Sequence, residues 1–106
     1  MRVNGINGHI IHINSIAGHK VSPKYSVYPA SKFAVTALTE TLRLELNALG
    51  AKIKVTSVSP GCVETGATSL NKNLTAEQKA FFDGIAMLKP EDVADGVVYA
   101  LSTPEH

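Results

Sequence analysis

The sequence predicts an α/β fold, part of a doubly wound parallel sheet, and three observations predict it. His9-Ile10-Ile11-His12-Ile13-Asn14 and Ile53-Lys54-Val55-Thr56-Ser57-Val58-Ser59 are short β-branched runs, a long helical stretch separates them, and a further helical stretch closes the chain. Strand, long helix, strand requires a crossover, so the two strands are parallel and the connection right-handed. Parallel strands are covered on both faces and flanked at both edges. Two strands are therefore expected to form only part of a domain, a β-α-β unit plus C-terminal helices. The chain is then either a fragment, or its other strands come from another chain.

Each element has its own warrant. Asn4-Gly5 and Asn7-Gly8 make residues 1 to 8 turn material. The first strand is interrupted only by His12, as expected of a strand buried on both faces, and Ser15 marks its end. Gly18, Ser22 and Pro23 make Ile16 to Tyr25 a loop. Val27 to Leu49 reads as a helix with Pro29 tolerated near its start and Gly50 as C-cap. From Ala30 to Thr39 its only charge is Lys32, and Phe33, Ala34, Val35, Ala37 and Leu38 surround most of it, so cover on two sides is expected. Charges resume at Glu40, Arg43 and Glu45, where the helix should meet solvent. Pro60-Gly61 stops the second strand, and the segment to Asn73 is polar and irregular. Thr75-Ala76-Glu77-Gln78 has the form of a capping box opening a short helix to about Asp83. Pro90-Glu91-Asp92 opens a last helix, with Val93, Val97, Val98 and Leu101 at helical spacing.

Composition excludes several functions. Ten basic and nine acidic residues among 106 give a net charge of +1, too balanced for a nucleic-acid or anionic-membrane partner. No apolar run approaches the roughly 18 residues that cross a bilayer. The single cysteine, Cys62, and the absence of a secretory leader pattern point to a reducing, cytoplasmic setting. His9 and His12 are an odd number apart and face opposite ways on a strand, so no metal site is expected. Cys62 has no evident base partner and reads as a packing residue.

Chemistry converges at one end of the sheet. Ser15 follows the first strand and Pro60-Gly61 the second, while Tyr28 and Lys32 sit early in the intervening helix, four apart and on one face. Ligands of open α/β sheets bind beyond the carboxyl ends of the strands. An ammonium beside a phenol favours the phenolate, which suits Tyr28 as a general acid or base. Ser15 lacks a base and reads as a donor to a substrate oxygen, or as a plain strand-end cap. Proton transfer at an alcohol or carbonyl oxygen leaves the hydride to a nicotinamide cofactor.

Asn14-Ser15, then Tyr28-Pro29-Ala30-Ser31-Lys32 with Tyr28 thirteen after Ser15, then Pro60-Gly61-Cys62-Val63-Glu64-Thr65, resemble the catalytic half of the short-chain dehydrogenases/reductases. The strings His9 to Gly18, Phe33 to Glu45 and Leu88 to Pro104 resemble a narrower group, the NADP-dependent farnesol dehydrogenases of insects and their vertebrate relatives. The resemblance implies a Rossmann-like fold, of which residues 1 to 106 are the C-terminal, catalytic half. It implies Tyr28 as acid/base, Lys32 as the residue that lowers its pKa and binds the nicotinamide ribose, and Ser15 as the group orienting the substrate oxygen. Pro60, Gly61, Val63 and Thr65 would hold the nicotinamide end of NADP, or alternatively NAD. Gly66 to Asp83 corresponds to the substrate loop, and the substrate would be a small apolar alcohol or carbonyl. The helix 27–49 would pair with a second copy in a homodimer or homotetramer. The family's glycine-rich turn and Asn-Asn-Ala-Gly block are absent from this sequence. The rival reading is therefore an inactive fragment that acts only as an interaction or dimerisation module.

Overall fold

In the computed structural model, which describes residues 1–66 and 73–105, two strands pair side by side, and the described residues include three helices, of which the first and the last pack on the sheet. Strands β1 (His9–Ile13) and β2 (Lys54–Val58) run parallel, with His9 opposite Lys54 and Ile13 opposite Val58. Both are shorter than their apolar runs, yet Asn14 N–H still donates to the Val58 carbonyl at 2.7 Å. Helix α1 (Val27–Ala48) connects them, and α2 (Ala76–Asp83) and α3 (Pro90–Ser102) follow.

The helix ends follow the local chemistry. Leu49 caps α1, and Gly50 comes one residue later than expected, at φ 63°. Its N–H donates to the Asn47 carbonyl and Ala51 N–H to the Leu46 carbonyl, both at 3.0 Å, which closes the last turn in a Schellman arrangement. At α2 the capping box forms as expected. The Thr75 hydroxyl accepts from Gln78 N–H at 3.2 Å, and Gln78 Oε1 accepts from Thr75 N–H at 3.0 Å. Helix α3 opens with Asp92 Oδ2 accepting Lys89 N–H at 2.7 Å.

The loop after β1 holds more order than its composition suggested. Ile16–Gly18 form a 3₁₀ turn. Ser22 to Tyr25 form a tight turn with Pro23 second and Lys24 third at φ 69°, the type II pattern, in which the third position favours glycine. The expected irregular stretch to Asn73 lies partly outside the described residues.

The two strand histidines do face opposite ways. His12 Nδ1 meets Thr39 Oγ1 of α1 at 2.8 Å, and the Thr39 hydroxyl donates onward to the Val35 carbonyl at 2.7 Å. On the other face His9 Nε2 meets Thr56 Oγ1 at 2.7 Å. Burial, and then the Lys54 charge opposite it, hold the His9 pKa below its ordinary value. The Lys54 ammonium itself anchors the end of α3, donating to Thr103 Oγ1 at 2.9 Å and to the Pro104 carbonyl at 2.7 Å.

The core is open. Leu46, 8% exposed, is the sole large apolar side chain counted as buried among the described residues. The chain exposes 7767 Å², against about 5,700 Å² for a folded monomer of its mass. Its radius of gyration is 16.8 Å, against about 13 Å for a compact domain of this length. The expected two-sided cover of α1 is met on one side only. The sheet buries the face carrying Thr36, Thr39 and Leu46, while Phe33, Leu38 and Leu44 stand 41%, 58% and 55% exposed on the other. Among the described residues nothing covers that side. Among the described residues no helix is long and apolar enough to cross a membrane.

Candidate active site

The site is built where β1 ends. Asn14 and Ser15 are buried, 3% and 8% exposed, and Ile16 N–H donates to the Pro60 carbonyl at 3.0 Å, so the carboxyl ends of the two strands are tied together. The Ser15 hydroxyl accepts Ala17 N–H at 3.1 Å and caps the 3₁₀ turn. It is therefore the strand-end cap that its position suggested, and a hydroxyl oxygen that accepts can still donate its proton outward.

The 3₁₀ turn is clamped against α1. A Cβ placed on Gly18 would lie 2.5 Å from Asn14 Oδ1 and 2.8 Å from both the Lys32 carbonyl oxygen and Thr36 Oγ1. Only a glycine lets the turn approach this closely. The Thr36 hydroxyl is the hub of the contact. It accepts from Asn14 Nδ2 at 2.8 Å and lies 2.8 Å from the Gly18 carbonyl and 3.2 Å from the Lys32 carbonyl, to one of which it donates.

With α1 fixed in this way, its first two turns carry the chemistry. The Lys32 ammonium donates to the carbonyl of Ile13, the last residue of β1, at 3.3 Å, and sits 5.8 Å from the Tyr28 ring centroid. That is within cation–π range. Tyr28 is 53% exposed, so its phenol opens to solvent beyond the strand ends. Ser31, whose hydroxyl donates to the Tyr28 carbonyl at 2.7 Å, stiffens the same turn. Tyr28 and Lys32 are thus brought together, with Lys32 bonded two residues before Ser15. No hydrogen bond joins Ser15 to Tyr28 among the described residues.

The turn after β2 lies beside Ser15, tied to the next residue by the Ile16 N–H bond to the Pro60 carbonyl. Leu88 holds it open, donating its N–H to the Cys62 carbonyl at 2.9 Å and accepting Glu64 N–H at 2.8 Å, with Val63 paired to Leu88 as a short parallel bridge. Gly61 is exposed, and a side chain there would meet only Ile16 Cδ1, at 3.9 Å. Thr65 is exposed and Cys62 half-buried.

Several positioning residues escaped the sequence reading. Thr36 was one of many small residues in the helix, and Gly18 a loop glycine; neither reveals its neighbour without a fold. His19 meets Ser59 Oγ at 2.9 Å and fastens the 3₁₀ turn to the end of β2. Asn14 offered the one available signal, a carboxamide at the end of an otherwise apolar buried run, which must find a partner.

Comparisons with known proteins identify the family and the fold. The family model described as short chain dehydrogenase matches residues 1–78. Farnesol dehydrogenase of Aedes aegypti is 46% identical over 106 residues, covering 98% of this chain and 40% of that protein. Dehydrogenase/reductase SDR family member 11 of Mus musculus is 50% identical over 103 residues, covering 94% of this chain and 40% of that one. Among solved structures, serine dehydrogenase from Escherichia coli superposes with a TM-score of 0.73 at 30% identity, covering 100% of this chain and 38% of its own. The closed form of serine dehydrogenase complexed with NADP+ superposes with a TM-score of 0.76 at 28% identity, over 92% of this chain and 40% of its own. The chain spans about 40% of the length of the curated relatives it matches. A two-stranded parallel sheet with helices is accordingly one part of a Rossmann-like domain, and the chain belongs to the short chain dehydrogenase family.

Proposed function

We propose that this chain supplies the proton-transfer end of an oxidoreductase site that interconverts an alcohol and a carbonyl. The observation that carries the proposal is the Lys32 ammonium, bonded to the Ile13 carbonyl and set over the Tyr28 ring. Tyr28 gives a proton to the carbonyl oxygen in reduction, or takes one from the alcohol in oxidation. The Ile13 carbonyl holds the Lys32 ammonium beside the Tyr28 ring. Ser15 donates to the same substrate oxygen and turns it toward Tyr28.

The residues fit a nicotinamide cofactor. One of the three ammonium donors of Lys32 goes to Ile13, and two remain for ribose hydroxyls. A Cβ at Gly61 would meet only Ile16 Cδ1, at 3.9 Å, and this uncrowded surface is assigned, with Pro60, Val63 and Thr65, to the nicotinamide end. The hydride itself would come from, or go to, a bound NADP(H), with NAD(H) the alternative. The relatives' names, which include a farnesol dehydrogenase, favour an apolar alcohol or its carbonyl as substrate. The direct assay joins this chain to a glycine-rich dinucleotide-binding half and follows nicotinamide absorbance with apolar alcohols and aldehydes. Turnover is expected, and none with either cofactor would reject the reading.

The bare face of α1 favours a second element of the proposal, or of the dimerisation-module reading if turnover fails. Ala30, Phe33, Ala37, Leu38 and Leu44 lie opposite the sheet and are exposed, an apolar stripe that a second copy would cover. Sedimentation should find a dimer or tetramer that Leu38→Glu dissociates. A monomer at every concentration would remove this element and leave the catalytic one standing.

A further inference from the structure

The chain leaves the site at Thr65 and comes back to it at Leu88, and the described part of its return limb is fastened at two places. At its base, Leu88 is paired with Val63 and bonded to Cys62 and Glu64 beside the end of β2. At its outer end, Gln78 Nε2 of α2 donates to the Tyr25 hydroxyl at 3.2 Å. Tyr25 lies in the approach to α1, three residues before Tyr28. The limb therefore runs from the end of β2 to the start of α1, the two elements that flank the site.

The outer fastening is unusual in construction. Gln78 serves two purposes with one carboxamide, its Oε1 closing the capping box on Thr75 N–H and its Nε2 reaching Tyr25. The cap of α2 and the tie to the turn are thus the same side chain, and one conformation satisfies both. On the other side, Tyr25 is presented by the Pro23-Lys24 turn, where Lys24 accepts φ 69° although it is not glycine. Lys24 Nζ also approaches Glu77 Oε2 at 3.5 Å, an exposed pair that contributes little.

We propose that Tyr25 is a positioning residue, whose hydroxyl latches α2 across the mouth of the site and so sets how substrate reaches Tyr28. This rests on the oxidoreductase reading for its consequence, but the latch itself can be read without turnover. Amide hydrogen exchange of the 106-residue chain is the measurement, comparing α2 with α1 and α3. Tyr25→Phe removes one oxygen and should speed exchange in Ala76–Asp83 about fivefold, with α1 and α3 unchanged. Lys24→Gly keeps the hydroxyl, suits the φ 69° backbone of the turn, loses the exposed pair, and should leave α2 unaltered. Unchanged exchange in Tyr25→Phe, or equal loosening by Lys24→Gly, overturns the latch. In the joined enzyme, Tyr25→Phe should raise KM about fivefold with kcat within about twofold, since it loosens the wall and leaves Tyr28 and Lys32 in place. A fall in kcat with KM unchanged would overturn the assignment of Tyr25 to the mouth.

Discussion

Tyr28→Phe should lower turnover by about 10²–10⁴-fold, the range that a positioned acid or base contributes. The substitution deletes only the phenolic oxygen. It leaves the ring under the Lys32 ammonium and the ammonium on the Ile13 carbonyl, so the framework of the site stays as it is. Cofactor affinity should consequently stay within about threefold of the parent, because the ribose donors proposed at Lys32 are intact. Steady-state kinetics and cofactor titration on the joined enzyme separate the two effects. Retained turnover would reject Tyr28 as the proton donor. Loss of turnover together with loss of cofactor binding would mean that the phenol serves binding and not proton transfer.

The second large effect lies outside the chemistry. Gly18→Ala should destabilise the chain by about 2–3 kcal/mol, near the top of the range for adding a methyl group to a filled site. The added Cβ would meet Asn14 Oδ1, Thr36 Oγ1 and the Lys32 carbonyl oxygen at 2.5–2.8 Å. The last of these is backbone within α1 and cannot swing away, so relief requires the 3₁₀ turn to lift off the helix. That movement separates the Thr36 hydroxyl from the Gly18 carbonyl. Gly61→Ala is the matching control, since its Cβ would stop 3.9 Å from Ile16 Cδ1 and should change stability by less than about 0.5 kcal/mol. Denaturant unfolding measures both. Equal stability of the two variants would show that the 3₁₀ turn is not clamped.

What could be read from the sequence was whatever repeats with a period or has a fixed local chemistry. The β-branched runs gave the strands, the long uncharged stretch gave α1, and Thr75 with Gln78 gave the start of α2, because each is decided within a few residues. The Tyr28–Lys32 pair was legible for the same reason, since a helix puts residues four apart on one face. The clamp was not legible. Asn14, Gly18 and Thr36 are 22 residues apart at most, yet their contact depends on a loop returning α1 to the end of β1. The two-sided cover expected of α1 is met on one side only among the described residues. Hydrophobic pattern states which surface must be buried and does not say which polypeptide buries it. The Tyr25–Gln78 tie joins residues 53 apart, beyond any local rule.

In the proposed site Lys32, Gly61 and their neighbours hold the nicotinamide end of a cofactor. Titration of the 106-residue chain with NADPH, following nicotinamide fluorescence, tests it most directly, with Lys32→Ala as the paired variant. The account predicts a saturable signal in the parent chain that Lys32→Ala weakens at least about tenfold, the effect of removing a charged hydrogen-bond donor. No signal in the parent, or an equal one in the variant, would contradict it.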